Sequence, residues 1–545
     1  MELTPQTVHS GVVEAQKFAE NEVNLKIQTT PPAQKLQHTL RAGFGKVIKA
    51  SFGDRQQTKI GGAPLLAELE LTMQLVAGAA ACLRDWRAPG QIDFRLYHLL
   101  WQRVLLICCG YEDVIDAQFL SHDPGLWLSL IGDEDQRPHP GIASQPTVCR
   151  FENSFGKANC YRLAAWLLYA YIAGHKSLPE SITLHFDGSC IPTYGNQQGT
   201  SFRSYYDENM YFPLFVFDQD GVLITAVLRP GHHGEAKLVV PILKRLARAF
   251  HTAWPNVRIK TIMDSAFSDP AIYDWCEDNN VFYLIKLRNS GGKGSGLFSH
   301  SNDMAGDCKQ SFGSRFGTAK YLNPKKKKCE IEKELRQEKD KKKRKKNLKE
   351  LAERVVRRYG EFHYQAGKGG KDKKQWRRPR RILAECIYDD WGPRRTFWVT
   401  NIVGEEPAHL INKVYSPRGE AELRIKDAKE FRCDKLSCQQ FVANQFRLLM
   451  HVLAQRLLQA FRRLLPPAAQ RMSLASIREH FIRIPGIVQV KARDTELSWP
   501  SAFPFKKQMH ALCQRLTSAA VIARDWIAVF NAFIKPLTIR IQYAA

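Results

Sequence analysis

Three widely separated carboxylates, Asp187, Asp264 and Glu422, are the residues of this 545-residue sequence best placed to do chemistry. Asp187 closes a short strand-like run, Ile182–Phe186, and Asp264 closes another, Arg258–Met263. Short runs rich in β-branched and aromatic residues predict strands. Two such strands side by side would bring both carboxylates to one sheet edge. Paired oxygen donors suit Mg2+, with Mn2+ as a substitute, because hard cations prefer carboxylate. Two such ions can clamp the attacking and leaving oxygens of a phosphodiester in an in-line displacement. One activates water or a 3′-hydroxyl while the other stabilises the departing 3′-oxygen. Each Asp also has a plainer explanation, Asp264 as a cap for Ser-Ala-Phe and Asp187 as a turn residue before Gly188.

The third acid comes with a pattern, Tyr415-x2-Arg418-x3-Glu422-x6-Lys429. Ser416-Pro417 predicts a helix start, with Ser as cap and Pro in the first turn. Arg418, Glu422 and Lys429 then fall within about 40° of one another on one helix face, with Tyr415 just ahead of it. That face offers one carboxylate for metal and, beside it, two cations and a phenol for DNA phosphates. Glu420 faces roughly the opposite way. The plain alternative for Glu422 is a surface ion pair with Lys426 at i+4.

The elements that must position these residues follow from periodicity. Residues 1–60 are polar and mixed, and much of this segment is expected to be poorly ordered. Leu65, Leu69, Leu71 and Leu75, then Leu99, Leu100, Val104 and Leu105, predict an all-α N-terminal region over 61–178. Within it, Ser144–Asn153 is a capped helix start, and Gln145 and Arg150 are placed as on a DNA-recognition helix. From 179 to 290 the predicted order is strand (182–186), two hairpin strands (211–217, 222–228), helix (234–254), strand (258–263), helix (270–279) and strand (281–287). By analogy of order this is a ribonuclease-H-like α/β core. Residues 291–402 form a β-rich, basic insertion with strands at 382–388 and 396–401. Residues 403–465 complete the core with the glutamate helix and a long helix from Ser437 to about Leu465, and 466–545 form a mostly helical C-terminal region with one strand, 487–492.

Charge points to the partner. Lys and Arg number 80 against 54 Asp and Glu, a net charge of +26. Between Lys320 and Arg381 stand 26 Lys/Arg and nine Asp/Glu, with unbroken runs at Lys325–Lys328 and Lys341–Lys346. Such a surface meets a polyanion, nucleic acid being the commonest, and the lysine runs read as a flexible, solvated segment. The 13 cysteines include no CxxC pair, which argues against a zinc site or disulfide framework and for a reducing cytoplasm. No signal peptide or membrane span is expected.

The tetrad around Glu422, combined with two strand-end Asp residues, resembles the insertion-sequence DDE transposases of bacteria. Ser144–Asn153, Asp187–Gln197 with Tyr205-Tyr206, Val216–Gly231, Asp264–Phe267, Thr400-Asn401 and Cys438–Leu448 with Asn444-Gln445 resemble one subgroup. The likeness covers roughly residues 60–530 in blocks. It departs at Cys190-Ile191, where further acids are usual, and at Leu423, where Asn is common. The resemblance implies that Asp187, Asp264 and Glu422 hold two Mg2+ ions and that Tyr415, Arg418 and Lys429 contact the transposon end. It implies double-stranded DNA as partner, both terminal inverted repeats and target, and a homodimer on paired ends. Two competing readings are a ribonuclease-H-like endonuclease that cuts without joining, and an inactive transposase-derived DNA-binding protein. His232-His233-x-Glu235 is weighed as a metal cluster and set aside, because it lies in a Pro-Gly turn and lacks a fourth ligand. Phe362, Tyr364 and Trp376 are candidates for stacking on frayed bases.

Overall fold

Strand pairing builds an eight-stranded sheet whose order decides where the two aspartates fall. The computed structural model describes residues 38–43, 46–50, 56–130, 141–175, 177–288, 296–320, 328–338, 340–367, 375–418, 433–491 and 495–517. Within 1–60, β1 (His38–Gly43) and β2 (Lys46–Ala50) pair antiparallel, and β3 is a two-residue strand, Gln57–Thr58. The longer helices that follow are α1 (Ala63–Met73), α2 (Leu75–Cys82), α3 (Leu96–Cys109), α4 (Gln145–Asn153) and α5 (Lys157–Ala173), with short helical segments at Asp116–Phe119 and Pro124–Ser129 between α3 and α4.

The helices α1 and α2 are bent by 61° at Gln74, which takes a left-handed φ of 51°. Buried Glu70 bridges the bend, accepting from Val76 N at 2.8 Å and Ala77 N at 2.9 Å. Burial raises its pKa to about 8, against partial relief from these backbone donors. Below about pH 4.5 the carboxyl is protonated folded or unfolded, and as pH rises towards 8 only the unfolded chain ionises freely, so stability falls. Glu70→Gln, which keeps an acceptor, is expected to flatten that part of the urea midpoint's pH profile; an unchanged slope would assign it to other groups.

Next come β4 (Ser181–Gly188), β5 (Ile191–Pro192), β6 (Ser201–Arg203), β7 (Glu208–Tyr211), β8 (Leu214–Phe217), β9 (Leu223–Val227), α6 (Val239–Ala253), β10 (Arg258–Met263), α7 (Pro270–Asp278) and β11 (Phe282–Lys286). The expected single strand 211–217 is two. Pro213, which has no N–H for a ladder, separates β7 in a small β5-β7-β6 sheet from β8 in the large one. Then follow α8 (Asn302–Phe316), α9 (Lys328–Gln337), α10 (Lys341–Glu353), β12 (Val356–Tyr364), β13 (Arg380–Asp389), β14 (Gly392–Thr400), α11 (Phe441–Leu464), β15 (Gly486–Val490), β16 (Thr495–Ser498) and α12 (Lys506–Thr517).

The large sheet runs β12-β13-β14-β11-β10-β4-β8-β9. Strands β4, β10 and β11 are mutually parallel and every other neighbouring pair is antiparallel. One face, carrying Ile182, Leu184, Phe186, Ile259 and Tyr283, packs on α6 and α7. The opposite face packs Phe215, Phe217 and Leu223 on α11 within the core of the helical region. Edge strand β9 would expose unpaired backbone, and α11 covers it. Gln445 accepts from Leu228 N at 2.7 Å and donates to Ala226 O, Arg456 donates to the Leu223 and Ile224 carbonyls, and Gln459 donates to Gly221 O.

Strands β12–β14 continue the same sheet beyond β11. Thr400 Oγ1 donates to Tyr283 O at 2.6 Å, while Asn401 accepts from Tyr283 N and donates to Val281 O, stitching β14 to β11. The run Lys341–Lys346, expected to be flexible, is the start of α10. Asp340 caps it by accepting from Lys342 N and Lys343 N, and buried Leu351 anchors its far end. Residues 325–327 lie outside the described residues. Among the described residues no single helix is long and apolar enough to cross a membrane.

Candidate active site

The parallel pairing of β4 and β10 runs in register to His185 opposite Ile262. Asp187 and Asp264 each stand two residues further on, so they sit level on neighbouring strand ends. Asp187 is still inside β4, paired to Phe215 of β8 and 9% exposed. Asp264 is half-buried and caps a short turn, Ser265–Phe267, accepting from Ala266 N at 2.8 Å. The capping role weighed from sequence is therefore real and coexists with the juxtaposition. Gly188 lets the chain leave β4 closely packed, since a Cβ there would lie 2.8 Å from the Phe212 ring.

A basic framework, buried at Arg229 and exposed at Arg288, surrounds this edge. Arg229, fully buried, donates to Phe212 O at 2.8 Å and to the Gly234, Glu235 and Lys237 carbonyls, and burial brings its pKa down to about 10, so it stays charged near neutrality. Glu235 pairs with Arg203 of β6 at 2.8 Å and lies 3.7 Å from Arg288. Arg288 in turn donates to the Ser265 and Ala266 carbonyls of the Asp264 turn. Arg203–Glu235–Arg288 thus ties the loop after Asp187 to the loop after Asp264. Sequence reasoning missed this bridge, for no local spacing links residues 203, 235 and 288. An open groove of about 1000 Å3 adjoins, lined in part by Lys237, Ser268, Asp269, Arg288 and Tyr364. The aromatic candidates divide here. Phe362 packs on His300 and Phe397, whereas Tyr364 and Trp376 line the groove, Trp376 largely buried between Tyr273 and Tyr364.

The third acid's surroundings are only partly described. Helical turns Pro407–His409, Leu410–Tyr415 and Ser416–Arg418 are continuous. The expected helix start at Ser416 is corrected: its backbone is already helical and its hydroxyl donates to Ile411 O at 2.9 Å. Glu406-Pro407 starts the segment instead. Tyr415 packs against Trp398 on the sheet, with ring centroids 5.5 Å apart. Glu422, Lys426 and Lys429 lie outside the described residues, as does the Arg418 side chain. Among the described residues no group of three His, Cys, Asp or Glu side chains gathers as a metal site.

The segment that begins at Cys433 is held by the loop that leaves Asp187. Buried Gln197 donates to Leu436 O at 2.7 Å and Cys438 O at 3.1 Å. Gln198 N donates to Gln439 O at 2.9 Å, and Asn444 bonds both backbone groups of Cys438. Gln145 and Arg150 lie on α4, Gln145 half-buried and Arg150 exposed, and α4 buries Val148, Phe151 and Glu152. His232 meets Ser201 through Nδ1 at 3.2 Å.

Over residues 40–292 and 320–521 the sequence matches a family of transposase DDE domains. The match covers most of the chain, and the protein belongs to that family, Transposase DDE domain group 1. Among solved structures it is similar to the piggyBac transposase synaptic complex with hairpin DNA, at 8% identity and a TM-score of 0.34 over 86% of this chain and 85% of that one. No curated protein matches the sequence.

Proposed function

We propose that the protein is a cut-and-paste transposase that cleaves DNA at the ends of its element and joins the freed 3′-hydroxyl to target DNA. The observation that carries this reading is the level placement of Asp187 and Asp264 on adjacent parallel strands. The order β9-β8-β4-β10-β11, with antiparallel β8 and β9 and parallel β10 and β11, supports a ribonuclease-H-like core spanning 179–290 and 403–465, interrupted by the 291–402 insertion. An N-terminal region, 61–178, and a C-terminal region, 466–545, flank it.

Two carboxylates at one edge fit a hard divalent cation, with Glu422 as third ligand, and Mg2+ would supply activation of the attacking oxygen and stabilisation of the leaving one. Asp187 and Asp264 fix where that charge sits. Tyr415, Arg418, Lys426 and Lys429 bind backbone phosphates, and Gln145 and Arg150 of α4 read the terminal repeat as a homodimer pairs two ends. Incubating the protein with Mg2+, end-bearing DNA and a supercoiled plasmid tests the reading: joined products support it, while end cleavage without joining makes it a nuclease only.

Two expectations follow for residues around the acids. Gln197→Ala frees the segment after Glu422 and is expected to slow single-turnover cleavage about 10- to 100-fold while DNA affinity holds. An unchanged rate would leave the clamp a purely structural one. Replacing Lys341–Lys346 by glutamine is expected to weaken binding to any duplex and to reduce the slope of log affinity against log salt by about 0.9 for each phosphate that is no longer neutralised. The cut position should not move, and a shifted cut would show that α10 sets register.

A further inference from the structure

A second cationic surface lies on the helical region, apart from the residues assigned above. The loop Leu83–Arg87 is fastened to the first half of α5. Arg84 N donates to Asn159 Oδ1 at 2.9 Å, Asn159 Nδ2 donates back to Arg84 O at 3.1 Å, and Arg162 Nη1 donates to Cys82 O at 3.2 Å. Lys157 and Tyr161 share a face of α5 at i and i+4. Arg245 of α6 lies over the Tyr161 ring, 4.8 Å from its centroid. Trp86 is 71% exposed and Tyr161 54%, so two rings face solvent amid the cations.

Countercharge is scarce on this surface. Asp85, the acid of the loop, is taken by Arg87 at 2.6 Å. Within the described residues Arg84, Lys157, Arg162 and Arg245 form no ion pair. Burial lowers the Arg162 pKa, and the like charge of Arg84 lowers it further. Unpaired like charges held together by backbone bonds destabilise a fold slightly, and a polyanion laid across them offsets that repulsion. The surface also runs on to α4, through an open groove of about 470 Å3 lined by Asp85, Arg87, Thr147 and Arg150 among others.

We propose that Arg84, Trp86, Lys157, Tyr161, Arg162 and Arg245 form a docking surface for duplex DNA, with the cations on phosphates and the two rings against deoxyribose. This deepens the transposase reading and rests on it: the surface extends the contact of α4 along the duplex and is sequence-independent, since phosphates carry no base identity. It is distinct from the lysine-rich helix α10.

The test uses the full chain and two labelled duplexes, one with the end that flanks the gene and one of scrambled sequence, titrated between about 50 and 200 mM salt. Lys157→Gln with Arg245→Gln, both exposed positions, is expected to weaken binding to both duplexes about tenfold at the low end and to reduce the salt slope by about 2. Trp86→Ala should weaken binding severalfold at unchanged slope, and Arg245→Lys, which keeps the charge, should bind nearly as wild type. Wild-type affinity and slope in the double variant would overturn the proposal while leaving the transposase reading intact. A wild-type chain that binds neither duplex would sink that reading itself. Loss of binding to phosphatidylserine vesicles in the double variant, with DNA binding unchanged, would make the surface a membrane contact and also overturn the proposal.

Discussion

Asp187→Asn and Asp264→Asn are each expected to abolish DNA cleavage, by about a thousandfold or more, while leaving DNA binding within a few fold of wild type. Asparagine keeps the shape and the neutral hydrogen bonds but removes the charge that a hard cation needs. The two residues should nevertheless differ in a second readout. Asp264 caps the Ser265–Phe267 turn through Ala266 N, and asparagine caps nearly as well, so Asp264→Asn should fold normally whereas Asp264→Ala should lose about 1 kcal/mol. Single-turnover cleavage beside filter binding and a urea melt separates these effects. Residual activity near wild type in either asparagine variant would remove that residue from the metal site, whatever its position on the sheet.

The largest expected loss of stability lies elsewhere, at Glu152. Its carboxylate, 1% exposed on α4, meets Arg103 of α3 at 2.5 Å and Arg447 of α11 at 3.8 Å. Both guanidiniums are as buried as the acid. Arg103 also donates to Tyr111 O and Glu112 O, and Arg447 donates to Glu112 O at 2.8 Å and Ser437 Oγ at 2.6 Å. One carboxylate therefore holds three helices and the segment that leads back from the glutamate region. Glu152→Ala leaves buried Arg103 without its acid and Arg447 with only Asp113, 3.9 Å away and half-exposed, and breaking such a network by removing one partner costs about 3–5 kcal/mol. Denaturant unfolding should show a midpoint shift of that size. A loss below about 1 kcal/mol would mean that water reaches the site and screens it.

How far the sequence could be read depended on whether the deciding interaction was local. Strand ends at Asp187 and Asp264 were legible because runs of five or six residues rich in β-branched and apolar side chains announce strands, and parallel pairing places both ends level. The Pro213 break was missed because Tyr211–Phe217 is uniformly apolar, and only its partners show that two sheets share it. Ser416-Pro417 had the composition of a helix start, yet a helix already under way from Pro407 overrides it. Lys341–Lys346 looked solvated and is, but Asp340 and Leu351 make it helical. The Arg203–Glu235–Arg288 bridge and the Gln197 clamp join residues far apart in the chain, beyond the reach of periodicity. Gln197 stands in a stretch that carries the family resemblance, but only the carbonyls of Leu436 and Cys438 give a reason for a glutamine there.

Three acids distant in sequence are proposed to share one divalent-metal centre that cuts DNA, and Glu422 is the member on which that proposal most depends. The direct measurement is cleavage of labelled DNA carrying the ends that flank the gene, by wild type and Glu422→Gln, across a Mg2+ titration from chelator upwards. The expected result is that wild type cuts at the ends only with Mg2+ and that Glu422→Gln binds the same DNA without cutting it. Wild-type cleavage in chelator, or normal cutting by Glu422→Gln, would contradict it.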